Sequence, residues 1–69
     1  MEAILKELES RKEEIEKQVE ILFQTNMKIT DWDVPEVDDK IAAELILGIM
    51  KDKIDALAED VKAGEYDNY

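Results

Sequence analysis

Cysteine and histidine are both absent from these 69 residues. Without cysteine there is no disulfide, no thiolate nucleophile and no thiolate metal site. Without histidine the commonest metal ligand and general base are missing as well. Ser10 is the single serine, so a hydrolase arrangement of Ser or Cys with His is excluded. Proline occurs once, at Pro35, and glycine twice, at Gly48 and Gly64, which leaves long stretches free of helix breakers. No apolar run approaches the roughly 20 residues that a membrane span needs. The opening MEAILKELES mixes acids and bases within two turns and lacks the basic start and apolar run of a signal peptide. These absences predict a soluble, cytoplasmic protein with no cofactor, no metal and no catalytic residues.

What is present is charge. Nineteen acids against nine bases give a net charge of −10, which repels nucleic-acid phosphates and anionic lipid heads. Direct binding to nucleic acid or membrane is therefore not expected. Residues 1–28 carry seven acids and five bases, net −2, whereas residues 29–69 carry twelve acids and four bases, net −8. A basic protein surface is steered toward the second half.

Residues 2–28, rich in Glu, Lys, Gln and Leu, read as one long helix. Leu5, Leu8, Ile15, Val19, Leu22 and Ile29 keep heptad spacing, with Lys12 and Asn26 at the two a positions that lack an apolar residue. Glu7 with Arg11 and Glu13 with Lys17 stand four apart, acid first, and support the exposed face. The pattern breaks over residues 28–33. A capping box then opens a second helix over residues 34–63, with Asp33 as N-cap, Pro35 in the first turn and Glu36 three residues after the cap. Gly64 stands where a left-handed residue ends such a helix. This gives a hairpin domain over 1–64 and a short acidic tail, EYDNY, over 65–69.

Two helices joined by about five residues are antiparallel neighbours. With the turn centred near Asp31, Leu5 faces Leu57, Leu8 faces Ile54, Ile15 faces Leu47 and Val19 faces Ala43. At about 100° per residue, Ala43, Leu47, Met50, Ile54, Leu57 and Val61 form the stripe that meets the first helix. A second stripe, Val34, Val37, Ile41, Leu45 and Ile49, points nearly the opposite way, and Phe23, Met27 and Trp32 add apolar surface close to the turn. A chain below about 70 to 80 residues rarely fills a core alone. The expected architecture is an all-α, antiparallel two-helix hairpin that dimerises into a four-helix bundle through these eight residues. Gly48, beside that surface, implies close approach of another backbone.

Only carboxylates remain for chemistry. Asp31, Asp33, Glu36, Asp38 and Asp39 crowd into nine residues, but an EF-hand needs a central Gly and a bidentate acid at its twelfth position; helix capping accounts for these acids. Glu13-x-x-Glu16 and Glu36-x-x-Asp39, separated by nineteen residues, resemble the paired acidic motifs of the MazG-type nucleotide pyrophosphohydrolases. That resemblance implies Mg²⁺ held against a triphosphate and is the third reading. In size and hairpin shape the chain also resembles the short phosphatases that act on response regulators, though Lys51-Asp52-Lys53-Ile54-Asp55 shares only a hydrophobic-Asp step with their signature. The leading expectation is a non-enzymatic, dimeric protein–protein interaction module, a regulator, adaptor or inhibitor, that offers Asp52, Asp55 and Glu59 to a protein partner. The alternative is an acidic mimic of nucleic acid, as a phage-encoded anti-defence inhibitor would be, since carboxylates replace phosphates against Arg and Lys.

Overall fold

The computed structural model describes residues 1–68, which form two helices, α1 (Glu2–Asp33, 32 residues) and α2 (Asp39–Lys62, 24 residues), with no strand among the described residues. The all-helical hairpin expected from the sequence is present. Its boundaries differ from expectation at the connection: α1 continues five residues past residue 28, and α2 begins at Asp39 rather than at residue 34. No breaker interrupts α1 before Pro35. The residue ahead of a proline is held out of the helical region by the pyrrolidine ring, and Val34, at φ −134° and ψ 75°, is where the helix stops. Trp32 thus belongs to the last turn of α1, not to the connection.

The connection is tight. The Val37 amide donates to the Val34 carbonyl at 3.1 Å, closing a turn around Pro35 and Glu36. Asp38, and not Asp33, is the N-cap of α2: its Oδ1 accepts from the amides of Lys40 (2.8 Å) and Ile41 (3.2 Å). Asp39 in the first turn then lies at the positive end of the helix dipole. Removing this cap by Asp38→Ala is expected to cost about 1 kcal/mol in a urea melt, while Asp33→Ala, which removes no cap, leaves the midpoint in place. The far end of α2 matches expectation. Gly64 has φ 87°, its amide donates to Val61, and the Glu65 amide donates to Asp60, the paired bonds of a Schellman ending. Residues 63–68 are wound in turns; Tyr69, the last residue of the expected tail, lies outside the described residues.

Moving the turn centre from Asp31 to Glu36 changes every cross-helix pairing. Leu5 with Leu57, Leu8 with Ile54, Ile15 with Leu47 and Val19 with Ala43 are not opposite one another. Residues whose numbers add up to about 72 now lie level, so Val19 stands near Lys53, Leu22 near Met50 and Asn26 near Ile46, and all six line one cleft. The helices meet only beside the turn. Phe23, Asn26, Met27 and Thr30 of α1 are half-buried, as are Ala43, Ile46 and Met50 of α2, and Ala42, 4% exposed, is the one buried residue among those described. Residues 1–22 are all exposed. The hairpin measures 49 × 27 × 17 Å, wider than the roughly 20 Å of two packed helices, so its arms splay away from the turn.

Candidate functional site

The splay leaves an open cleft of about 440 Å³ between the arms, walled by Val19 and Leu22 on α1 and by Ile46, Met50, Ile54 and Leu57 on α2. These are the side chains that would fill the seam of a closed hairpin. Leu22 and Ile54 are more than half exposed. Asn26 sits at the cleft's inner end, and its Nδ2 donates to the Leu22 carbonyl at 2.8 Å, so its amide is satisfied within its own helix. Ile46, unassigned in the sequence reading, belongs to the inner stripe of α2, whereas Leu47 is half exposed on a flank. The inner stripe is therefore Ala42, Ala43, Ile46, Met50 and Leu57, turned from the expected one. On α1, Ile29 is turned outward: a straight helix of 3.6 residues per turn drifts off a strict heptad line by about 20° per heptad.

A second apolar surface lies on α1 beyond the cleft. Leu5, Leu8 and Ile15, with the stem of Lys12 between them, border a shallow groove flanked by Glu9 and Glu16. At 100° per residue this groove continues the inner face of α1. Leu5 and Leu8 lie beyond the level of Lys62, where α2 ends, and Ile15, level with Leu57, is left open by the splay of the arms.

The eight residues expected at a dimer interface fall into three groups. Ile41, Leu45 and Ile49 are exposed, Leu45 at 63% and Ile49 at 71%, and run obliquely along the outer side of α2 from the turn to the rim of the cleft. Val34 and Val37 lie in the connection, Val34 exposed and Val37 half-buried, and Trp32 is 86% exposed on the end of α1. Phe23 and Met27, by contrast, are half-buried on the stripe where α1 meets α2, so much of their surface is spent within the chain. Gly48 has open space around the position of an added Cβ; no backbone of its own chain approaches it.

Asp52, Asp55 and Glu59 are all exposed on α2 and, at spacings of three and four, extend the direction of Ile41 toward the tail. Glu59 pairs with Lys62 at 3.6 Å. The remaining ion pairs run three apart rather than four: Arg11 with Glu14 at 3.4 Å and Lys17 with Glu20 at 3.5 Å, in place of the expected Glu7–Arg11 and Glu13–Lys17 pairs. All are solvent-exposed and contribute little to stability.

No family model, no curated protein and no solved structure matches the chain. Among the described residues no group of three acids converges to hold a metal ion. The two acidic pairs behind the pyrophosphohydrolase resemblance are far apart, since Glu16 is separated from the end of α1 at Asp33 by unbroken helix, about 25 Å of it. No described helix is long and apolar enough to cross a membrane.

The accessible surface is 6332 Å², whereas a compact monomer of 8.0 kDa exposes about 4,450 Å². The chain thus exposes roughly 1,900 Å² more than its mass requires, over twice the ~800 Å² that each partner of a standard interface buries.

Proposed function

We propose that the chain is a small, non-enzymatic protein–protein interaction module that works as a homodimer, two hairpins closing into a four-helix bundle. The observation that carries the reading is the excess surface and its chemistry: an unfilled apolar cleft, an apolar groove on α1 and the outer stripe of α2 together amount to half of a core. A solvated monomer leaves this area against water. Pairing two copies buries it, with each large side chain contributing about 1.5 to 3 kcal/mol. With its apolar faces consumed in the dimer, the surface left for a partner is acidic. Asp52, Asp55 and Glu59 form a line of carboxylates on each copy, suited to a basic protein surface as a regulator, adaptor or inhibitor would use it.

The partner face is tested by replacing the three acids together, Asp52→Asn, Asp55→Asn and Glu59→Gln. Helicity by circular dichroism and dimer mass by sedimentation are expected to stay unchanged while capture of the partner weakens at least tenfold. Undiminished capture moves the partner site to Trp32 or the tail. A nucleic-acid mimic uses the same carboxylates, and there added DNA or RNA competes for the captured partner; capture by a basic surface that binds no nucleic acid does not respond in that way.

A further inference from the structure

We propose that the two copies pack with their turns at opposite ends, so that the projecting N-terminal part of α1 in each copy lies on the Ile41 to Ile49 stripe of the other. This arrangement rests on the dimer reading above and specifies its geometry. Two features point to a reversed second copy as the occupant of the open faces, and a third requires that the contact run the length of the hairpin.

The first is the placement of apolar surface along the hairpin. The unmatched groove of α1, Leu5, Leu8 and Ile15, lies at the end away from the turn. The outer stripe of α2 is apolar only near the turn, at Ile41, Leu45 and Ile49, and becomes acidic at Asp52. Within one chain these surfaces stand at opposite ends and never meet. Measured from Glu36 at 1.5 Å per residue, Leu8 lies about 42 Å from the turn and Ile15 about 31 Å. When a partner is reversed along the 49 Å axis, its Ile41 comes to a level of about 41 Å and its Ile49 to about 30 Å. Apolar surface on each copy then lies level with apolar surface on the other.

The second feature is charge. Five carboxylates, Asp31, Asp33, Glu36, Asp38 and Asp39, surround the turn with no base among residues 29–39. Packing turn beside turn gathers both sets at one end of the bundle. Reversing one copy separates them along the long axis of 49 Å, far beyond the Debye length of about 8 Å at physiological salt. Each turn then lies beside residues 1–17 of the partner, where six acids and four bases leave a net charge of −2, in place of a second set of five unbalanced carboxylates.

The third is area. Each chain exposes surface well beyond that of a compact monomer, and an interface spanning the full length of both hairpins is needed to cover it; a contact confined to the two turns covers only the proximal stripes.

The absence of cysteine makes the test direct. A spin label on Glu36→Cys, at an exposed position of the turn, reports the separation of the two turns in the dimer, once sedimentation has established that wild type and labelled protein are dimers. The expected label-to-label distance is close to the long axis of 49 Å. A distance near two helix diameters, about 20 Å, as a same-end dimer or one opened at the turn into continuous helices would give, overturns the orientation while leaving the dimer intact. A wild type that sediments as a monomer at tens of micromolar removes the dimer reading itself, before any label is attached. A label on Asp31→Cys, on the last turn of α1, serves if Glu36→Cys perturbs folding; being five residues inward on each copy, it is expected at about 34 Å in the reversed dimer.

Discussion

Leu45→Glu is expected to convert the dimer to monomers, with a dissociation constant raised a hundredfold or more. Leu45 is 63% exposed in the single hairpin, so the free chain tolerates a charge there. In a two-fold interface the substitution acts twice, and two lost apolar burials of about 1.5 to 3 kcal/mol each correspond to a factor of 10² to 10⁴. The carboxylates left in the apolar interface add their own desolvation cost. Ile41→Glu, on the same stripe, is expected to behave alike. Asp55→Asn, two turns or more away along α2, serves as the control and leaves the association unchanged. Sedimentation velocity across a dilution series reads all three variants on one scale.

The second large effect is expected at Ala42, the one buried residue among those described. It sits where the arms are closest, beside the half-buried Ala43 and Ile46 and opposite the Phe23 to Thr30 stripe. Ala42→Phe forces a ring into the only place where the two helices already touch. Overpacking of this kind costs about 1 to 3 kcal/mol, and a domain of this length loses about 4 to 8 °C of melting temperature per kcal/mol. A thermal melt of the variant is thus expected to fall by about 4 to 24 °C. Leu47→Ala, on an exposed flank, is the comparison and is expected to shift the melt far less than a core truncation does. Equal loss at both positions would mean that the turn-proximal contact is not what holds the hairpin together.

The two-helix fold was readable because its signals are local. Helix-forming composition, a lone proline between two long unbroken segments and a glycine at the end of the second are each sufficient within a few residues, and Gly64 adopts the left-handed conformation that position requires. The pairing of the helices was harder to read, because it hangs on one turn. Asp33 and Asp38 are both competent caps, and the capping-box pattern favours Asp33. Val34, held extended ahead of Pro35, lets α1 run to Asp33 and hands the cap to Asp38. A five-residue displacement of the turn centre shifts the opposite residue by ten, about 15 Å along the helix, so Leu5 and Leu8 lose the partners that the sequence pattern supplies. The exposed stripe of Ile41, Leu45 and Ile49 did not depend on the turn and was legible from helical periodicity alone. The α1 groove was not: Leu5, Leu8 and Ile15 have the heptad spacing of a seam, and only the end of α2 at Lys62 and the splay of the arms show that their intrachain cover is missing.

In the proposed dimer this chain carries half a core and completes it with a second copy. Sedimentation equilibrium of the wild-type protein, paired with far-ultraviolet circular dichroism over the same dilution series, tests it most directly. The expected result is a dimer at tens of micromolar that dissociates on dilution, with helicity falling in step because the splayed hairpin buries too little to hold its arms alone. A chain that stays at 8.0 kDa and keeps its helicity at every concentration would contradict the claim.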